Sequence, residues 1–115
     1  MRTLLVVDDD ADARSLIAEV LSTEGYRLRF AADGREALAM LAEHPLPDAI
    51  LLDLSMPNMT GWQFRDLQKR QSDLAHIPVL VMTGSSPLGI DAMKVLEKPV
   101  SIPDLVHWVR RLAAA

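Results

Sequence analysis

The stretch that decides the fold of this 115-residue chain is an apolar run that ends in a single acid. It reads Asp48-Ala49-Ile50-Leu51-Leu52-Asp53-Leu54-Ser55-Met56-Pro57. The four residues before Asp53 show no polar alternation, which is typical of a strand buried on both faces of a parallel sheet. Pro57 and Gly61 indicate a turn after that strand. Because open α/β sheets bind ligands beyond the carboxyl ends of their strands, this position predicts a functional role for Asp53.

The rest of the chain repeats the strand pattern, with helical patterns between the strands. Residues 4–7, 77–82 and 95–96 are short apolar runs that predict strands. Residues 26–31 alternate polar and apolar, as a strand at a sheet edge does. Alternation of strand and helix to the end of the chain predicts an α/β fold, with a parallel sheet covered by helices on both faces. We expect one domain over residues 1–115.

Amphipathic spacing predicts which face of each helix packs on the sheet. The expected inward residues are Leu16, Ile17, Val20 and Leu21, then Ala37, Leu38 and Leu41, then Trp62, Phe64 and Leu67, and finally Ile102, Leu105, Val106, Val109 and Leu112. Asp10 or Asp12 and Ser101 are expected to cap helices. Arg14 is expected to point away from the core, and residues 65–70 are expected to form a solvated face.

Composition narrows the class of protein. The chain has no cysteine, which excludes disulfides, thiolate metal sites and cysteine nucleophiles. Its formal net charge of −4 and the absence of a basic stripe argue against nucleic-acid binding. No apolar run is long enough to span a membrane, and the first residues do not form a signal peptide, so we expect a cytoplasmic location.

Five polar residues are expected to converge at one edge of the predicted sheet, because each follows or ends a strand. They are Asp8, Asp9, Asp53, Thr83 and Lys98. Three neighbouring carboxylates repel one another unless they share a cation, and Mg²⁺ prefers hard oxygen ligands of this kind. A lysine and a hydroxyl are the usual complement for phosphoryl oxygens. The set therefore predicts phosphoryl transfer, with Asp53 as the nucleophile that forms an aspartyl phosphate.

The sequence resembles the response-regulator receiver family of two-component signalling from Arg2 to its end. Four motifs in order carry the resemblance: Val6-Val7-Asp8-Asp9-Asp10, Leu51-Leu52-Asp53-Leu54-Ser55-Met56-Pro57-Asn58-Met59-Thr60-Gly61, Val81-Met82-Thr83-Gly84 and Glu97-Lys98-Pro99. The resemblance implies a flavodoxin-like (βα)5 three-layer sandwich whose five parallel strands have the order 2-1-3-4-5. It also implies a cis peptide bond between Lys98 and Pro99.

By the same resemblance, Asp53 is the phosphoacceptor, and Mg²⁺ is held by the carboxylates of Asp8, Asp9 and Asp53 and by the backbone carbonyl of Ser55. Thr83 is the switch hydroxyl, Gly84 leaves it room, and Lys98 pairs with a phosphoryl oxygen. The resemblance implies a phosphodonor that is a histidine kinase or a phosphotransfer protein. It implies a stand-alone regulatory domain, not an enzyme, that acts as a monomer or weak dimer on a downstream protein that the sequence does not identify.

Two features depart from the family pattern. The family commonly has an aromatic residue three positions before the lysine, where this chain has Val95. Few residues separate Thr83 from the last strand, so the family's fourth helix is expected to be short or absent. We therefore expect phosphorylation to change the order of residues 84–93, and a partner to contact that segment together with the last helix through Trp108.

Other functions explain the motifs less well. A degenerate receiver that binds partners without phosphorylation would account for Val95 and the short fourth helix, but not for the complete acid site. A phosphatase of the haloacid-dehalogenase class needs a second acid two residues after its nucleophile, where this chain has Ser55. A flavin-binding flavodoxin needs a Ser/Thr-rich phosphate loop after the first strand, where this chain has three aspartates.

Overall fold

Five parallel strands form the centre of the computed structural model, which describes residues 2–84 and 89–114. The strands are Thr3–Val7 (β1), Arg27–Ala31 (β2), Ala49–Asp53 (β3), Val79–Thr83 (β4) and Lys94–Glu97 (β5). They lie in the order β2-β1-β3-β4-β5, as the family resemblance implied. Every strand pair is parallel, and β3 has the central position between β1 and β4.

Four helices cover the sheet in the described part of the chain. They are Ala11–Thr23 (α1), Gly34–Leu41 (α2), Gly61–Lys69 (α3) and Ile102–Leu112 (α4). Each begins at a side chain that accepts a hydrogen bond from a backbone N–H in its first turn; these caps are Asp10, Asp33, Thr60 and Ser101. Among the residues described, no helix is long and apolar enough to cross a membrane.

Alternating residues of β1 and β3 face the two helical layers. Leu5 and Ile50 belong to the core beneath α2 and α3, whereas Leu4 and Leu51 belong to the core beneath α1 and α4. All five residues of β3 are buried, and so is each residue of β4. This burial on both faces confirms the interpretation of the apolar runs and places Asp53 at the end of a strand that is protected along its whole length.

The helical faces differ from the expectation at four residues. Leu16, Leu67 and Ile102 were expected to face the core, but they are 51%, 38% and 46% exposed. Leu16 of α1 and Ile102 of α4 line a groove between these two helices. Gln68 was expected to lie on a solvated face, yet it is fully buried.

Gln68 is buried because its side-chain amide forms hydrogen bonds with backbone carbonyls that lie outside the strands and helices. Its Nε2 donates to the carbonyls of Leu74 and Ile77, at 3.0 Å and 3.2 Å, and its Oε1 accepts from Arg65 at 2.9 Å. The side chain thus fixes the connection from α3 to β4. Buried carbonyls without a donor would cost stability.

The connection from β4 to β5 is short, as expected from the sequence. Residues 89–93 contain no helix, and residues 85–88 lie outside the described residues, so the expected order change over 84–93 stays a prediction. Asp91 attaches the described part to α3. Arg65 donates to its backbone carbonyl at 2.6 Å, and Lys69 forms an ion pair with its carboxylate.

We predict that Gln68→Ala lowers the free energy of unfolding by about 2 kcal/mol, because it removes the amide donor from two carbonyls, of which that of Leu74 keeps only the bond from the backbone N–H of Ile77. Urea unfolding followed by circular dichroism measures the loss. The matched control is Gln71→Ala, which shortens an exposed glutamine in the same region. Equal stability of the two variants would show that the buried amide bonds contribute little.

Candidate functional site

The predicted site residues meet at the carboxyl edge of the sheet. Asp8 and Asp9 follow β1, Asp53 ends β3, Thr83 ends β4 and Lys98 follows β5. The backbone N–H of Lys98 donates to the carbonyl of Thr83 at 2.8 Å, which extends the pairing of β4 with β5 to the site. The Lys98–Pro99 peptide bond is cis, as the resemblance implied.

The three acids form one cluster. Carboxylate oxygens of Asp8, Asp9 and Asp53 lie within 4.8 Å of one another. Asp8 is fully buried and Asp53 is only 5% exposed, whereas Asp9 lies at the surface. Three oxygen-bearing side chains in this arrangement match the ligand preference of a hard divalent cation such as Mg²⁺.

The carboxylate of Asp8 is held from two sides. Its Oδ1 accepts from the backbone N–H of Asp10 at 3.0 Å, and its Oδ2 accepts from Lys98 Nζ at 3.2 Å. Its backbone N–H donates to the carbonyl of Ala31 in β2 at 3.1 Å. Asp8 therefore has a fixed position, with its carboxylate close to that of Asp53.

Asp53 lies in an environment that disfavours its ionised form. Burial raises the pKa of its carboxyl, and the negative charge of Asp8 raises it further. Lys98, at 3.6 Å from Oδ1, and the backbone N–H of Ser55, at 3.4 Å, act in the opposite direction but do not cancel the rise in pKa. A cation beside these acids would relieve the same repulsion.

The environment of Lys98 favours its charged form. Burial lowers the pKa of its ammonium group, but the charges and hydrogen bonds of Asp8 and Asp53 outweigh that effect and raise the pKa above its ordinary value. Lys98 therefore carries its positive charge at neutral pH. The site combines three acids with one fixed cation, and so it retains a net negative charge.

Close backbone packing supports Asp53 from behind. A Cβ at Gly61 would lie 2.8 Å from the carbonyl oxygen of Asp53 and 2.7 Å from the Cα of Leu54. Only glycine allows α3 to begin so near the end of β3. The sequence analysis interpreted Gly61 as part of a turn, and the structure shows that it also lets the helix pack against the acid's own strand.

Thr83 and Ser55 flank Asp53 on two segments. Thr83 is fully buried at the end of β4, and Ser55 is exposed two residues after the acid. Gly84 lies beside Lys98, because a Cβ at Gly84 would be 3.9 Å from the Cβ of that lysine. All the residues named from the sequence thus lie at one edge.

Arg14 is the residue of this region that the sequence analysis placed wrongly. It was expected to point away from the core, but its Nη1 donates to the backbone carbonyl of Asp8 at 2.6 Å. The available signal was its position in the first turns of α1, since helical side chains lean toward the N-terminus and so toward the β1–α1 loop.

Comparison with known proteins identifies the family. The family model described as the response regulator receiver domain matches residues 4–110. The chain belongs to the response regulator receiver domain family. It is therefore related to the receiver domains of two-component signalling, which are regulatory phosphoacceptor modules, and the resemblance drawn from the four motifs is confirmed.

Curated relatives of this receiver domain are longer proteins. The response regulator MprA of Mycolicibacterium vanbaalenii is 38% identical over 117 residues, a match that covers 95% of the chain and 49% of the relative. A probable cyclic di-GMP phosphodiesterase of Vibrio cholerae is 38% identical over 108 residues, covering 88% of the chain and 24% of the relative. The receiver domain described here thus spans half or less of these proteins.

Solved structures confirm the flavodoxin-like fold. The signal receiver domain of a signal transduction histidine kinase from Syntrophus aciditrophicus superposes with a TM-score of 0.93 at 30% identity, covering 99% of this chain and 91% of that one. The receiver domain of the sensor histidine kinase PA1611 from Pseudomonas aeruginosa, with a magnesium ion coordinated in its active site cleft, superposes with a TM-score of 0.89 at 25% identity, covering 99% and 98%.

We predict that Asp53→Asn stabilises the metal-free protein at pH 7. A carboxyl whose pKa rises on folding binds its proton more tightly in the folded chain, so its ionisation at neutral pH costs stability. That cost shrinks as the pH falls through the raised pKa of Asp53 in the folded chain, and it is gone below the ordinary pKa of 3.8, where the unfolded chain is protonated as well. Urea midpoints measured in chelator should therefore be higher for the variant at pH 7 and converge with wild type in acid. The control is Asp73→Asn at an exposed acid, and an equal gain there would refute the interpretation.

Proposed function

We propose that this receiver domain accepts a phosphoryl group on the Asp53 carboxylate from a phosphohistidine of a histidine kinase or phosphotransfer protein. The observation that carries the proposal is the position of this nearly buried carboxylate, which has oxygens of two other acids within 4.8 Å and Lys98 Nζ at 3.6 Å. Carboxylates this close together repel one another unless a divalent cation binds between them. The ammonium group of Lys98 beside them is suited to bind a phosphoryl oxygen.

In the proposed transfer, an Oδ of Asp53 attacks the phosphorus atom and the phosphorus–nitrogen bond to the donor imidazole breaks. The bonding electrons return to the imidazole nitrogen, and the product is an aspartyl phosphate. Lys98 binds an equatorial phosphoryl oxygen, and the hydroxyl of Thr83 donates to another. Positioning and charge neutralisation supply most of the catalysis in reactions of this type.

Mg²⁺ fits the donor set of the site. Asp8, Asp9, Asp53 and the backbone carbonyl of Ser55 would hold it, and when bound it neutralises charge on the phosphoryl group. The magnesium ion of the Pseudomonas aeruginosa receiver domain supports this assignment. The remaining negative charge of the site, three acids against Lys98, supports it independently.

We propose that residues 1–115 act as one cytoplasmic module whose output is the binding of a downstream protein, as a monomer or weak dimer. The second candidate function, a phosphorylation-independent interaction module, is favoured by Val95 and by the absence of a helix in residues 89–93. The acid cluster favours the first function, because it would destabilise a module that never bound a cation or a phosphoryl group.

We predict that acetyl phosphate with Mg²⁺ adds one phosphoryl group to the wild-type chain and none to Asp53→Asn. Excess chelator should prevent the modification, because the acids then repel the incoming anion. Intact-protein mass spectrometry measures the added mass. Asp66→Asn, which changes an exposed acid on α3, should be modified as wild type. Equal modification of Asp53→Asn, or indifference to chelator, contradicts the proposal.

The groove between α1 and α4 gives the phosphodonor a place to dock. It has a volume of about 220 Å³ and reaches Asp8 and Lys98 at one end. Its walls include the exposed side chains of Leu16 and Ile102 and the ring of Pro99. Because the groove is continuous with the site, a protein seated on its apolar wall would bring a phosphohistidine toward Asp53. We propose the phosphodonor as its occupant.

We predict that Leu16→Glu slows phosphotransfer from a protein donor at least about 10-fold, because a buried carboxylate in an apolar contact costs well over 1.4 kcal/mol. Labelling by acetyl phosphate, which needs no docking surface, should keep its wild-type rate. The control is Leu67→Glu, at an exposed leucine on α3 away from the groove. Any phosphotransfer protein that labels the wild-type chain serves as donor, and equal transfer to both variants would exclude the groove as the docking surface.

A further inference from the structure

The guanidinium group of Arg14 contacts the loop after β1, which carries Asp8 and Asp9, at a single backbone atom. It lies in the first turns of α1, and its Nη1 donates to the carbonyl oxygen of Asp8 at 2.6 Å. The guanidinium group is partly buried, and in the described part of the chain it pairs with no carboxylate. Its one strong contact is therefore with the backbone that carries the acids.

That carbonyl belongs to the peptide group between Asp8 and Asp9. Because a peptide group is planar, a bond to its oxygen fixes the orientation of the Asp9 backbone as well. The carboxylate of Asp8 has its own anchors in Asp10 and Lys98. The carboxylate of Asp9 is exposed and makes no hydrogen bond or ion pair with any described residue. Asp9 is thus held only through its backbone, on one side by the peptide group that Arg14 binds and on the other by the hydrogen bonds of Asp10.

We infer that Arg14 is a positioning residue for the Asp8–Asp9 pair. By holding the peptide between them, it keeps the Asp9 carboxylate within reach of a cation shared with Asp8 and Asp53. The inference rests on the proposed function, since it concerns the same cation site. Residues that orient metal ligands through hydrogen bonds commonly change metal affinity about 10–100-fold when they are lost.

Charge and positioning predict opposite results for the loss of Arg14. Its positive charge repels a divalent cation, so if charge alone mattered, its removal would tighten binding. If the hydrogen bond to Asp8 positions the pair, its removal frees the peptide and weakens binding. The sign of the change in affinity therefore separates the two effects.

The test is isothermal titration of the full chain with MgCl₂, and with MnCl₂ as a second probe, at a temperature where circular dichroism shows each variant folded. Arg14→Ala should raise the dissociation constant roughly 10-fold. Arg14→Lys, which keeps a donor and the charge, should recover part of the affinity. The charge control is Arg35→Ala, at an exposed arginine of α2, which should bind at least as tightly as wild type.

Unchanged or tighter binding by Arg14→Ala would overturn the positioning role while leaving the proposed function intact. Absence of magnesium binding by the wild-type chain would overturn both. A purely structural role would lower the thermal midpoint of Arg14→Ala without changing the affinity of the folded protein, and that result also counts against the inference.

Discussion

The structure depends on electrostatic repulsion among three carboxylates at one edge of its sheet. Two unit charges 4.8 Å apart, the upper limit in this cluster, interact with roughly 3 kcal/mol at an effective dielectric constant near 20. Water screens the two pairs that include the exposed Asp9 more strongly than the pair of Asp8 and Asp53. Strands β1 and β3 hold two of these acids away from water, so the repulsion cannot be relieved by the movement of their side chains. The positive charge of Lys98 offsets part of this repulsion, and a bound divalent cation would offset the remainder.

The fold maintains this strained arrangement by anchoring each acid to a different rigid element. Asp53 ends a strand that is buried along its whole length, and the close packing at Gly61 backs it with α3. Asp8 is tied to β2 through Ala31 and to the end of β5 through Lys98. Asp9 has the weakest support, and the bond from Arg14 to the preceding carbonyl supplies it. A receiver domain built this way keeps its acids in place before any cation or phosphoryl group arrives.

Much of this arrangement could be predicted from the sequence because it depends on local pattern and topology. Unbroken apolar runs predicted the buried strands, and the rule that parallel strands end at the same edge brought Asp8, Asp53 and Lys98 together. The exceptions depend on tertiary contacts. Gln68 is polar but buried, because the carbonyls that it satisfies come from a loop whose path no periodicity describes.

Leu16 and Arg14 could not be placed from the sequence for a similar reason. Apolar spacing predicts which face of a helix is turned toward the core, but the exposure of Leu16 depends on the width of the groove between α1 and α4. The direction of Arg14 depends on a backbone carbonyl in the preceding loop. The family resemblance assigns roles to the acids, whereas these supporting contacts become visible only in the structure.

The segment after β4 is where this receiver domain departs from the common pattern. Residues 89–93 hold no helix, and Asp91 attaches them to α3 through Arg65 and Lys69. Arg65 and Lys69 thus hold the described part of this segment against α3, and any displacement of Asp91 would change these contacts.

The most direct test of the central claim is a crystal structure of the chain grown with Mg²⁺ and beryllofluoride. The account predicts one Mg²⁺ ligated by Asp8, Asp9, Asp53 and the backbone carbonyl of Ser55, with beryllium bonded to the Asp53 carboxylate. Lys98 should then contact a fluorine atom. Beryllium on another acid, or an Asp53 that stays unmodified while Mg²⁺ fills the cluster, would contradict the assignment of this edge of the sheet as a phosphoryl-acceptor site.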